Sequence, residues 1–260
     1  MSGTATRRAA RTKADLRDDQ AFYVYGVVAG DFTVPGDLAG LDDAPVELVE
    51  HGDVAAAVGV IDLERPPGRR KDLMAHSKVV DALAAAGPVV PVRFGSVIPD
   101  ADAVVEEFLA PDHDRFAHLL AELTGRAQFN VRASYNEPAV LAEVIAENPE
   151  IGELRERTRD VPEEVSYGDR VRLGELVARA MEAKREYDGQ VILDAVLPHV
   201  AAHQVRAGSG VDQLLDVAFL VDDDRREDFE DTLESLAEAM HERARLRLYG
   251  PVAPYDFVEG

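Results

Sequence analysis

The sequence predicts an α+β protein of two domains, and three observations carry that expectation. Short runs rich in β-branched and aromatic residues alternate with longer stretches whose apolar residues recur at helical spacing. In the first half the strand signals come largely before the helices, an order that suits an antiparallel sheet with helices on one side. A chain of 260 residues, 46% of them hydrophobic, is long enough for one large domain or two of ordinary size.

The first element is the strand Phe22–Val28, rich in β-branched and aromatic residues and closed by Gly30. Pro45–Glu50 and Val54–Ile61 are two further strands. The polar turn His51-Gly52-Asp53 between them makes the pair a β-hairpin. Arg65-Pro66-Pro67-Gly68 is a break. Beyond it Leu73, Val80, Leu83 and Ala84 share a helical face that stops at Gly87-Pro88. Val89–Val97 is a strand interrupted by Pro91 and Gly95. Asp100 or Asp102 then caps a helix carrying Val104, Val105, Phe108 and Leu109, and Phe116, Leu119, Leu120 and Leu123 extend or repeat it to Gly125.

The second half opens with a strand over Gln128–Tyr135, where Phe129, Val131, Ala133 and Tyr135 alternate with polar residues. Ala139–Ala146 is helical and stops near Asn148-Pro149; Ile151–Arg159 is polar and carries no clear period. Asp169–Tyr187 has Leu173, Leu176, Val177, Ala180 and Met181 at helical spacing. Val191–Arg206 is expected to be a further helix or helix pair, kinked or reopened at Pro198. A loop, Ala207-Gly208-Ser209-Gly210, precedes the buried strand Leu214–Val221. The amphipathic helix Arg225–His241 follows, with Phe229, Leu233, Leu236 and Met240 as its inner stripe, and the last strand is Ala244–Tyr249. This β-α-(α)-β-α-β order suggests a ferredoxin-like sandwich enlarged by extra helices. The expected division is a flexible basic tail over 1–20, an N-terminal α+β domain over 21–125 and a C-terminal ferredoxin-like domain with a helical insertion over 126–260.

The formal net charge is −22, although the first 20 residues hold five basic residues (Arg7, Arg8, Arg11, Lys13, Arg17) against three acidic ones. The rest is therefore strongly acidic and repels a phosphate backbone or an anionic membrane, which makes a basic or apolar protein surface the better partner. Absence of cysteine removes disulfides, thiolate nucleophiles and Cys-based metal sites, and fits a reducing cytoplasm. No stretch approaches the roughly 18 consecutive apolar residues of a membrane span, and Met1–Gln20 has no apolar segment of signal-peptide type.

Catalytic constellations are missing. His199 and His203 are four apart, the spacing for two metal ligands on one helical face, yet Val200 stands where a zinc protease needs its glutamate. Asp222-Asp223-Asp224 lacks the alternating ligands of a calcium loop and suits the N-terminus of the helix after it. Gly208-Ser209-Gly210 lacks the lysine of a phosphate loop, and Gly95-Ser96 is no nucleophile elbow. His76 and Ser77, adjacent on a helix, cannot face each other. The twelve acids against two arginines in Asp212–Glu242 read as a solvated face. No cofactor or metal is expected, and the residues give no case for an enzyme.

Three stretches carry a family resemblance. They are Phe22-Tyr23-Val24-Tyr25-Gly26-Val27-Val28; the helix with His76 running into Pro88-Val89-Val90-Pro91-Val92-Arg93-Phe94-Gly95-Ser96-Val97; and Ala218-Phe219-Leu220-Val221 with the closing Gly250-Pro251-Val252-Ala253-Pro254-Tyr255-Asp256-Phe257-Val258. Together, in this order over about residues 21–258, the chain resembles the gas vesicle protein F/L family (GvpF/GvpL). Val252 and Ala253 stand where that family usually has Trp and Pro, and Phe129-Asn130-Val131-Arg132 replaces a Trp-containing strand.

The resemblance implies a two-domain accessory protein whose C-terminal domain is a modified ferredoxin fold. It also implies a role in gas vesicle formation, association with the small hydrophobic shell protein and other accessory proteins, a cytoplasmic and vesicle-associated location, and no enzymatic activity. Arg93, Phe94, Pro254, Tyr255 and Phe257 are the candidate partner-binding residues, although a Pro-rich end with Tyr and Phe can equally pin the terminus onto its own domain. The alternative function is a regulatory module binding a small ligand on the ferredoxin-like fold.

Overall fold

The computed structural model describes residues 16–207, 210 and 212–258. Most of the basic tail, and Gly208 and Ser209 of the expected loop, lie outside the described residues. Helix and sheet are mixed, and the chain divides into two compact units. Among the described residues, those up to Gln128 and those from Gly250 form one, and those from Phe129 to Tyr249 form the other.

The first unit is built on β1 (Gln20–Ala29), β2 (Glu47–His51), β3 (Val54–Asp62), β4 (Val89–Pro91) and β5 (Val97–Ile98). The sheet order is β2-β3-β1-β4, with β5 also against β1, and β1 pairs antiparallel with β3, β4 and β5, as β2 does with β3. A bulge between Val24 and Gly26 shifts the register of β1. Side chains alternate faces along a strand, so one extra residue changes the parity. Accordingly Ala21, Tyr23 and Tyr25, then Val28 rather than Val27, join the same core cluster.

The expected strand Val89–Val97 is split. Pro91 offers no backbone donor and Gly95 takes φ +98°, so Val92–Ser96 loops out between β4 and β5. The loop stays tied to the bulge of β1, where Val92 N donates to Tyr25 O at 3.0 Å and Val24 N donates to Ser96 O at 2.9 Å.

Helix α1 (Arg70–Ala86) lies over this sheet. Its third residue, Asp72, accepts from the N–H groups of Arg69 (2.9 Å) and Gly68 (3.1 Å), which supplies the N-terminal cap. The buried face is Asp72, His76, Val79, Val80 and Leu83. Leu73, expected on the inner face, is 49% exposed; the helix is turned to bury His76 instead. Asp100 caps α2 (Ala101–Ala103) through the Ala103 N–H at 2.9 Å, and a π-helical turn, Val104–Leu109, leads on to α3 (His113–Leu123).

The second unit contains β6 (Arg126–Tyr135, from Phe129), α4 (Glu137–Glu147), α5 (Pro149–Arg159), α6 (Glu163–Val196), β7 (Ala202–Val205), β8 (Gln213–Asp222), α7 (Arg226–Met240) and β9 (Ala244–Val252, to Tyr249). Its strand order is β7-β8-β6-β9. Phe129 of β6 and Phe219 of β8 meet Phe229 of α7, with ring centroids 5.5 and 5.7 Å apart, at the centre of the core.

Two helical expectations are corrected. The long helix runs from Glu163 to Val196, well beyond Asp169–Tyr187, with Gly168 and Gly189 inside it. The stretch Val191–Arg206 is not helical throughout: α6 ends at Val196, Leu197–His199 forms one 3₁₀ turn around Pro198, and Ala202–Val205 pairs antiparallel with β8. Ile151–Arg159 forms part of α5. The segment from Gly250, expected in the C-terminal domain, packs instead with the first unit, where Ala253, Pro254 and Val258 are buried.

Candidate functional site

In the first unit β1 aims two tyrosines at the helix above it. Tyr23 and Tyr25 are fully buried and His76, on the inner face of α1, is 2% exposed. Tyr23 Oη lies 2.9 Å from His76 Nδ1, and Tyr255 Oη of the C-terminal segment lies 2.8 Å from His76 Nε2. Gly95 N donates to Tyr23 Oη at 3.0 Å. These contacts set the protons. Tyr23 has no access to water, so its hydroxyl hydrogen must go to His76 Nδ1. The other ring nitrogen then carries the N–H and donates to Tyr255.

Phe94 packs edge-on against His76 with centroids 5.6 Å apart, and Tyr25 stacks on the imidazole at 5.9 Å. Tyr25 Oη accepts from Leu41 N at 2.8 Å. A β-carbon on Gly40 would lie 2.0 Å from that oxygen, so only glycine fits there.

Burial lowers the imidazole to about 4, against a smaller opposing pull from the backbone of Val92. Burial also raises the Tyr23 phenol to about 12, with the Gly95 N–H acting the other way. Tyr25 and Tyr255 are pushed up by burial as well. A general acid or base works best with a pKa near the working pH. Both partners here stay neutral near pH 7, and the hydrogen bonds fasten β1, α1 and the C-terminal segment together.

The C-terminal segment is held at several further points. Gln128 and Asp256 bond reciprocally, Nε2 to Oδ2 at 2.6 Å and Asp256 N to Oε1 at 3.2 Å. Arg115 donates to Val258 O at 2.9 Å, and Ala253 N donates to Asp81 Oδ1 at 3.4 Å.

Of the candidate binding residues, the structure brings Phe94 and Tyr255 together around His76. Pro254 is buried, Phe257 is half-buried and Arg93 is exposed on the loop between β4 and β5. Sequence reasoning missed Tyr23, Tyr25 and the role of His76. The available signal was a pair of alternating tyrosines in a core otherwise made mainly of Val, Leu and Ala.

The second unit has a buried charge cluster. Asp188 of α6, with no exposed surface, accepts from Tyr135 Oη at 2.8 Å and from Arg243 Nη1 at 3.2 Å. Its Oδ1 faces Arg243 Nη2 at 3.1 Å without hydrogen-bond alignment, a contact held by charge. Lys184, one turn earlier, reaches Glu143 at 3.0 Å and Glu147 at 3.3 Å. This cluster ties α4, α6 and β6 to the residue that precedes β9.

His199 and His203 do not share a helical face, since one lies in the 3₁₀ turn and the other on β7. Among the described residues no group of three or more His, Cys, Asp or Glu is placed to hold a metal ion. Asp222-Asp223-Asp224 leads into α7, but Arg225 holds the N-cap position and no side chain caps that helix.

A family model described as gas vesicle synthesis protein GvpL/GvpF matches residues 21–259. Gas vesicle protein F of Streptomyces sp. (strain CB03234) is 36% identical over 91% of this chain and 99% of its own length. Gas vesicle protein L of the same strain is 30% identical over 93% and 94%. The crystal structure of GvpF from Anabaena sp. PCC7120 superposes with a TM-score of 0.83 over 93% of this chain and 99% of that one, at 23% identity, which shows a shared fold. The chain belongs to the gas vesicle synthesis protein GvpL/GvpF family.

Proposed function

We propose that this protein is an accessory factor of gas vesicle assembly that binds the small hydrophobic shell protein, or other accessory proteins, during nucleation or growth of the vesicle. One observation carries the reading: the family match that spans residues 21–259. The charge supports it. A shell subunit with exposed apolar surface needs a soluble partner before it polymerises, and a chain of net charge −22 keeps such a complex dispersed. The same charge disfavours nucleic acid and anionic membrane as partners. The protein acts as a binder in the cytoplasm and at the vesicle, without catalysis. No helix among the described residues is long and apolar enough to cross a membrane.

The second unit is read as a modified ferredoxin-like domain, with α4, α5 and α6 standing where that fold has one helix; its strand order supports this. We assign the partner contact to the loop carrying Arg93 and Phe94, together with Pro254, Tyr255 and Phe257. Purified full chain should retain the shell protein in a pull-down, alone or with other vesicle proteins present, and Arg93→Glu should weaken retention without changing the far-UV circular dichroism. No retention in either setting overturns the reading. Deletion of the coding sequence in the native host should leave cells with few or malformed vesicles by electron microscopy; normal vesicles would count against it.

A further inference from the structure

Strand β9 ends the sheet of the second unit and has β6 as its only neighbour in the order β7-β8-β6-β9. An edge strand presents a row of unpaired N–H and C=O groups, and proteins usually blunt such an edge or cover it. Here it is open. From Arg245 to Tyr249 only Leu246 is half-buried; Arg245 and Arg247 are exposed, and Leu248 and Tyr249 are 40% and 43% exposed. No backbone bond from a loop or helix cap reaches this stretch among the described residues.

This edge carries positive charge on a strongly acidic molecule. Arg245 and Arg247 sit two positions apart, so they point to the same side of the strand, about 7 Å from each other. Neither guanidinium group makes a hydrogen bond or an ion pair among the described residues. The chain has 50 acidic residues for 28 basic ones, and several arginines of the same unit have found carboxylates. Arg132 and Arg206 hold Asp216, Arg226 holds Glu230 and Arg243 holds Asp188. Two adjacent guanidinium groups without a carboxylate form a basic strip on an acidic body.

We propose that the free edge of β9 is a docking site for an extended acidic segment of another protein, which adds to the sheet as one more strand. The backbone edge supplies main-chain hydrogen bonds. Arg245 and Arg247 pair with carboxylates two residues apart on the incoming strand, since guanidinium groups bind carboxylates in a planar, two-point manner. A second copy of this chain is the wrong occupant. Symmetric pairing of β9 with itself would set arginines beside arginines, between two bodies that each carry −22. The inference does not depend on which vesicle protein supplies the segment.

The test uses the full chain and a short fluorescent peptide alternating glutamate with valine, read by fluorescence anisotropy at low salt. The acidic peptide should bind, and a peptide alternating lysine with valine should not. The double variant Arg245→Glu, Arg247→Glu should bind it at least about tenfold more weakly, as expected when two exposed ion pairs become two repulsions. Circular dichroism checks the fold of that variant, and Arg245→Gln, Arg247→Gln serves in its place if it misfolds. The same acidic peptide with alternate backbone amides N-methylated, prepared in both registers, should also lose binding in one register. Equal binding of the acidic and lysine peptides, of wild type and variant, or of all methylated forms overturns the proposal, as does the absence of binding. So does a dimer in sedimentation velocity that disappears in the variant, since it would put a second copy on the strand.

Discussion

Lowering the pH from 7 to 5 should weaken the first unit through His76 by an amount that the structure sets. The folded imidazole is held at about 4, below its ordinary 6.5, because protonation would place a charge in a buried site. As pH falls the unfolded chain takes up the proton first. The stability tied to this group is therefore complete above the unfolded value and is lost as pH falls toward 4. Applied to these two values, linkage gives a loss of about 2 kcal/mol between pH 7 and pH 5 from this one group. Many carboxylates and six other histidines titrate as well, so the measurement must be a difference. Glutamine at position 76 keeps one donor and one acceptor and cannot ionise. Opening free energies from amide exchange in β1, Phe22–Val28, report on the unit that holds His76. They should fall by about 2 kcal/mol more in wild type than in His76→Gln over that pH interval. Equal pH dependence in the two proteins would refute the claim that a neutral, buried His76 ties β1 to α1.

Further expectations follow from close contacts. Gly40→Ala should cost about 3 kcal/mol in urea unfolding, because the new methyl displaces the buried Tyr25 hydroxyl from Leu41 N. Asp188→Ala should destabilise the second unit by about 3–5 kcal/mol, since it leaves the Arg243 charge and the Tyr135 hydroxyl without their buried partner; amide exchange in β8 reads the loss. Removing the segment from Gly250 onward should speed exchange in α1 and β1 before it affects α7, because that segment packs in the first unit and bonds His76, Arg115 and Gln128.

Much of the fold was legible because it rests on local periodicity. The hairpin β2–β3 could be read from two apolar runs around His51-Gly52-Asp53, and helix α7 from Phe229, Leu233 and Met240. Local pattern failed where neighbours decide. The strand β7 carries Ala202, His203, Gln204 and Val205, a sequence without strong preference, and it is a strand because β8 offers an edge to pair with. Leu73 was expected inside α1 on spacing alone, but the rotation of that helix follows His76, whose two ring nitrogens find phenol partners far away in sequence.

The candidate contact set divides along the same line. Phe94 and Tyr255 were singled out by motif, and their meeting around a histidine 18 and 179 residues away could not be, since no local period links them.

By itself the sequence determined the mixed α+β character, the acidic surface and, through three ordered motifs, the gas vesicle F/L family. Composition and short-range pattern suffice for those properties. Only the tertiary structure decided that the segment after Gly250 returns to the first unit and that Tyr23, His76 and Tyr255 form one chain of hydrogen bonds. It alone also showed that Arg245 and Arg247 stand on an open edge. Each of these depends on which distant surfaces are brought together, and that is set by packing and by the need to satisfy buried polar groups.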